Sequence, residues 1–184
     1  GMTKMQIQLN AAARDEHVPE AERYNRTIKD RVRSAFSMLP FKRLPRVMII
    51  ELAKAMVFWL NAFPATDGVS NTISPRTLLT GQKIDFTKHC SLEFGTYVQT
   101  HEPHNNDMTP RTTGAIALRP TGNNQGGYYF MSLTTGRILA RNHWTVLPMP
   151  AEVVNLVEQM AAQDGSLDTF DISWGPNTPA TTEE

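Results

Sequence analysis

Three segments decide the fold: Gly114-Ala-Ile-Ala-Leu-Arg119, Tyr128-Tyr-Phe-Met-Ser-Leu133 and Arg137-Ile-Leu-Ala-Arg-Asn-His-Trp-Thr-Val-Leu147. Upstream, Leu92, Phe94, Thr96 and Val98 alternate with Glu93, Gly95, Tyr97 and Gln99 in the same way. A period of two is that of half-buried strands, whose successive side chains point to opposite faces. Between the segments stand Thr121-Gly-Asn-Asn-Gln-Gly-Gly127 and Thr134-Thr-Gly136, both punctuation of hairpin type. The pattern predicts four or so short antiparallel strands in a small barrel or sheet over about 91–148.

Towards the N-terminus the period changes to 3.6. From Glu20 to about Met38 no Gly or Pro intervenes, and Ala21, Tyr24, Ile28, Val32, Ala35 and Phe36 recur at helical spacing. Pro19 suits a first helical position and Pro40 ends the run. A second helix is predicted over roughly 46–62. Its apolar residues cover most of the circumference, so it is expected to be the most buried element. Residues 64–90 read as a connector with one short helix at Pro75–Thr80, closed by Gly81. Met5, Ile7 and Leu9 alternate within 3–10 as a strand would. After Pro148 and Pro150, Val153, Leu156, Val157 and Met160 share one face of a helix over 149–163. The remainder, 164–184, is acidic and is expected to be poorly ordered.

A chain of 184 residues, 40% apolar and 20% charged, can bury an ordinary core. The longest greasy stretch, Val47–Phe63, is interrupted by Glu51, Lys54 and Asn61, which excludes a membrane span there. The first residues lack the apolar region of a secretory signal, so secretion is not expected. A single cysteine, Cys90, cannot form an internal disulfide. The net charge of zero hides an asymmetry. Residues 1–50 carry ten Lys/Arg against five Asp/Glu, and residues 151–184 carry none against seven. A basic front suggests a polyanionic partner, although an unevenly solvated surface has the same composition.

The densest set of chemically capable residues lies on the first helix. Glu22, Arg26, Lys29 and Arg33, at i, i+4, i+7 and i+11, share one side. A carboxylate followed by three cations suits a metal ligand whose neighbours hold a phosphate backbone. The helix dipole supplies a plain structural reason for the same order of charges. His101-Glu-Pro-His104 has ligand-like spacing, but Pro103 denies it a helix. His89 and Cys90 are adjacent and lack an orienting acid. Tyr128, Tyr129, Phe130 and Trp144 could stack bases or fill the core of a small barrel.

The segment His17-Val-Pro-Glu-Ala-Glu-Arg-Tyr-Asn-Arg-Thr-Ile-Lys-Asp-Arg-Val-Arg33 resembles the last catalytic helix of a copia-type retrotransposon integrase, part of a Gag-Pol polyprotein. Phe58-Trp-Leu-Asn61, Ser74-Pro-Arg-Thr-Leu-Leu-Thr-Gly81, Phe94-Gly-Thr-Tyr-Val98 and Gly127-Tyr-Tyr-Phe130 resemble later stretches of that family, in the family's order. The resemblance covers about residues 3–160. It implies an α+β chain: residues 1–63 hold the last strand and C-terminal helices of an RNase H-like core, 64–90 a connector, and 91–148 a small β-barrel module.

By the same resemblance Glu22 falls on the third carboxylate of an Asp, Asp, Glu site for Mg²⁺, and Asn25, Arg26 and Lys29 fall on DNA-facing positions; Arg33, on the stripe with Arg26 and Lys29, is the fourth expected DNA contact. The family's other two carboxylates lie upstream, on strands this sequence does not include. Asp15 and Glu16 cannot replace them, and the family's Cys is missing from Gly95-Thr-Tyr97. The implied partners are DNA, the rest of the Gag-Pol polyprotein and an integrase oligomer, with no membrane, in a nucleus or a cytoplasmic particle. One carboxylate cannot hold two Mg²⁺ ions that dehydrate reluctantly, so no strand transfer is expected from this chain alone. A non-enzymatic nucleic-acid- or peptide-binding module built on 91–148 is the competing expectation.

Overall fold

The computed structural model describes residues 18–66, 68–102, 108 and 110–165. The strand expected at 3–10, His104 and the tail from residue 166 lie outside the described residues. The elements run α1 (Pro19–Ser37), α2 (Arg46–Ala62), α3 (Pro75–Thr80), α4 (Phe86–His89), β1 (Tyr97–His101), β2 (Thr112–Pro120), β3 (Tyr128–Ser132), β4 (Ile138–Arg141), β5 (Trp144–Val146) and α5 (Ala151–Gln163). The chain is mixed α+β. Its helix ends follow local chemistry. Pro19 opens α1, and Glu20 and Glu22 occupy the first turn where the dipole favours anions. Ser74 Oγ accepts from the Thr77 N–H at α3, and Gly81, at φ +71°, closes it.

The five strands form one antiparallel sheet in the order β4-β3-β2-β1-β5. β4 and β5 stand at opposite edges, yet only Asn142 and His143 separate them in sequence. In a flat sheet the edges of five strands lie about 19 Å apart. Three Cα–Cα steps span at most about 11 Å. The sheet must therefore curl until its edges approach. Its concave face buries Val98, Ala115, Ala117, Tyr128 and Phe130, with Leu92, Leu139 and Trp144 against them. The Trp144 ring lies 5.2 Å from that of Tyr128 and 5.5 Å from that of Phe130, reaching from one edge strand to the third strand over.

The other face carries Ile116, Leu118 and Met131 into a second cluster with Val32 of α1, Met48 and Leu52 of α2, and Val153 and Val157 of α5. Phe41 and Leu44, from the α1–α2 loop, complete it. α1, α2, α5 and the sheet thus share one core.

Three details differ from the sequence reading. Residues 92–96 alternate in polarity but form a turn. Gly95 sits at φ +89°, and its N–H donates to the Ala117 carbonyl at 2.8 Å. The alternation there sends Leu92 to the concave cluster and Phe94 to the helical one. The run 137–147, read as one strand, breaks at Asn142–His143 into two strands on opposite edges. The most buried stretch is also not α2, which leaves Ile50 45% and Val57 37% exposed. In β2, Ala115, Ile116, Ala117 and Leu118 are all buried in succession, because that strand is covered on both faces.

Candidate nucleic-acid interface

α1 turns Ile28, Val32, Ala35 and Phe36 towards the core. At 100° per residue, Glu22, Arg26, Lys29 and Arg33 lie about 60–120° around the helix from Val32, along one flank. Glu22, Arg26 and Arg33 are exposed and Lys29 is half-buried. Arg33 Nη1 donates to Asp30 Oδ1 at 3.1 Å, a solvated pair that leaves the guanidinium accessible. Among the described residues neither Arg26 nor Lys29 makes an ion pair. Asn25 points closer to the core direction, about 20° from Val32, yet is exposed. The reason is that the first two turns of α1 run out past the core. Every residue from Val18 to Arg26 is exposed, including Ala21 on the core-facing azimuth and Tyr24 at 51%.

Further cations follow α1 in the chain. Lys42 and Arg43 in the α1–α2 loop and Arg46 at the start of α2 are all exposed. α5 braces this corner. Glu158 Oε1 accepts from the Lys42 backbone N–H at 2.8 Å, and Asp164 Oδ2 accepts from the Arg46 N–H at 3.2 Å. α2 has no acidic residue in its first turn and no side-chain cap of its own. Asp164, 118 positions away, supplies the missing anion at its positive end. Sequence reading did not single out Lys42, Arg43 and Arg46, because nothing in the sequence shows that Glu158 and Asp164 brace the start of α2 and the loop before it.

The segment between Phe63 and Leu92 forms a clamp. Arg76 Nη2 donates to Gly122 O at 2.5 Å, His89 Nε2 lies 2.9 Å from Asn123 O, and Lys88 Nζ donates to Asn124 O at 3.0 Å. Three consecutive carbonyls of the β2–β3 loop are held by side chains of α3 and α4. Arg76 also lies over the Phe58 ring of α2, 5.0 Å from its centroid. His89 therefore positions a loop, and its other ring nitrogen lies 2.8 Å from Asp85 O. Desolvation raises the Cys90 thiol above its ordinary pKa, and the histidine beside it is already engaged.

The other candidates are likewise occupied. His101 Nε2 contacts Thr145 Oγ1 at 3.2 Å. Glu102 takes both Nε and Nη2 of Arg141. That fork, with a hydrogen bond from Thr100, holds the Glu102 carboxyl below the usual carboxylate range. Tyr128 and Phe130 are inside the sheet, and Tyr129 lies under the Arg119 guanidinium, 4.4 Å from its ring centroid. Tyr128 and Phe130 are closed to a base, and Tyr129 is half-buried with the guanidinium over its ring. Among the described residues no three His, Cys, Asp or Glu side chains converge as a metal site would require. No described helix is long and apolar enough to cross a membrane. Comparison of the chain with protein families, with curated proteins and with solved structures returns no match.

Proposed function

We propose that this chain is the C-terminal part of a copia-type retrotransposon integrase, that it contacts duplex DNA through the basic flank of α1, and that it joins no strands by itself. The carrying observation is the placement of Arg26, Lys29 and Arg33 on one solvent-facing flank, beside Glu22, while Ile28 and Val32 of the same helix face the core. The ordered motif resemblances over residues 3–160 supply the family. The overhanging first turns of α1 support a helix end built to meet the upstream part of a larger core, and the rest of the Gag-Pol polyprotein is the partner that would provide it. Glu22 would be one of three Mg²⁺-binding carboxylates, and the described residues do not supply the other two, so no metal-dependent step is assigned to this chain.

What its own residues do is neutralise phosphates. Each Lys or Arg that displaces condensed counterions adds about 0.9 to the slope of log K against log salt. The test is a duplex titration by fluorescence anisotropy at several salt concentrations. Affinity should decline steeply with salt, and alanine at Arg26, Lys29 and Arg33 together should flatten the slope by about three units. Binding that ignores salt, or survives the triple change, overturns the reading. The family assignment has its own test. With the upstream core of a related element supplied in cis, Glu22→Gln should abolish strand transfer and Glu20→Gln should not.

A further inference from the structure

The end of α2 carries a row of stacked rings. The Trp59 and Phe63 centroids are 6.4 Å apart with their planes at 27°, and those of Phe63 and Phe86 are 6.1 Å apart at 25°. The row is not covered: Phe63 stays 47% and Phe86 57% exposed. Both rings line a cavity of about 370 Å³ whose apolar wall also includes Ala62, Ile73 and Ile84. That volume lies within the range of small-ligand sites. Among the described residues Lys83 is the only charged side chain lining the cavity, and it makes no ion pair. Asp85, the nearest acid to it in sequence, is engaged by Thr87 and Lys88 and does not line the cavity. The hydroxyls of the wall already have local partners. Ser74 Oγ and Thr77 Oγ1 lie 2.9 Å apart, Thr77 Oγ1 also donates to Gln82 O, and Thr72 Oγ1 lies 3.3 Å from Ser70 Oγ. What the cavity offers a ligand is therefore an aromatic face and one positive charge.

We propose that this cavity takes an unpaired base of a single-stranded nucleic acid, stacked on the Phe63–Phe86 row with its phosphate at Lys83. Charge selects the occupant: the lining holds a cation and no carboxylate, and a nucleotide joins a flat apolar ring to an anion. A base inside a duplex has both faces covered by its neighbours, so only an unstacked one can present a face to these rings. Because the wall's hydroxyls are engaged, the site should hold any base about equally, as stacking platforms do. The inference stands apart from the duplex contact assigned to α1 and uses none of its residues.

The experiment titrates the full chain with a single strand of about eight thymidines, reading amide ¹H–¹⁵N shifts and fluorescence anisotropy. The strand should move the amides of Phe63, Lys83, Ile84 and Phe86. Phe86→Ala should weaken binding about tenfold, and Phe86→Tyr, which keeps a ring, should restore it. Lys83→Gln should weaken it too and lower the log–log salt slope by about 0.7, the value for one phosphate of a single strand. Both side chains are exposed, so neither change is expected to unfold the chain, and the amide spectrum checks this. Parent-like binding by both Phe86→Ala and Lys83→Gln overturns the proposal. So does a strand that moves only the amides of α1, an outcome that leaves the duplex reading standing. Conversely, if the triple alanine change at Arg26, Lys29 and Arg33 leaves the shifts at Phe63 and Phe86 intact, the two sites are separate and this one is supported. Thymidine monophosphate binding as tightly as the strand overturns the single-strand assignment in favour of a free nucleotide. An acidic, Phe-containing peptide that moves the same amides at lower concentration overturns it in favour of a protein partner.

Discussion

Glu51 is 1% exposed in a helix that the sequence presents as nearly all apolar. Its Oε1 receives Lys54 Nζ and its Oε2 receives Arg119 Nε, each at 2.7 Å. Lys54 is half in water, so Lys54→Ala should cost under about 1 kcal/mol. Glu51→Ala strands the Arg119 guanidinium between α2 and Tyr129 and should cost roughly 3 kcal/mol, as read by urea denaturation. Near-equal effects of the two changes would show that the buried carboxylate does not govern this contact. Gly122 is as sensitive for a different reason. At φ +77°, a Cβ there would stand 2.7 Å from Arg76 Nη2 and 2.9 Å from the Phe58 ring. Gly122→Ala should therefore destabilise by about 2 kcal/mol and release the clamp, visible as faster amide exchange at 122–124. Neither role was legible beforehand. Glu51 read as an interruption of a greasy stretch and Gly122 as a hairpin glycine, because their partners lie 68 and 46 residues away in sequence.

Elements were more legible than their burial. α1, α2, α3 and α5 follow from apolar spacing bounded by Pro19, Pro45, Pro75 and Pro150, and β2 and β3 from short apolar runs set between hairpin punctuation. α2 shows where composition misleads. Its apolar residues surround the helix, yet only the side with Met48, Leu52 and Ala55 is buried, and Ile50 and Val57 face outwards. Leu52→Ala should accordingly cost about 2–5 kcal/mol. Ile50→Lys should stay within about 0.5 kcal/mol of the parent protein. A large loss at Ile50, measured by thermal unfolding, would mean that this side is covered by another surface in solution. The site was legible in part. The helical repeat placed Glu22, Arg26, Lys29 and Arg33 on one flank, whereas the bracing of Lys42 and Arg46 by Glu158 and Asp164 joins residues more than a hundred positions apart.

At the scale of the whole molecule, the curled sheet is fastened across its opening. Glu102, just after β1, grips Arg141, at the end of β4, although β2 and β3 lie between those strands in the sheet. The Glu102 carboxyl is held below its usual range chiefly by Arg141. A carboxyl depressed by folding adds stability above its unfolded pKa, near 4.5, and that stability disappears as pH falls through the lower folded value. The Tm gap between the parent protein and Glu102→Gln should hold from pH 7 to about pH 5 and narrow below about pH 4. A gap that widens with acid would reverse the assignment. The two-residue link between β4 and β5 also sets an order of events in time. The β2–β3 and β3–β4 hairpins join neighbours in sequence, but Val98 meets Val146 only after 48 residues of chain have been organised. Loop-closure entropy makes that pairing the late step. Weakening β5, as in Val146→Gly, should therefore quicken unfolding in stopped-flow measurements and leave the refolding rate nearly untouched, so that the last strand to arrive governs how long the native state lasts.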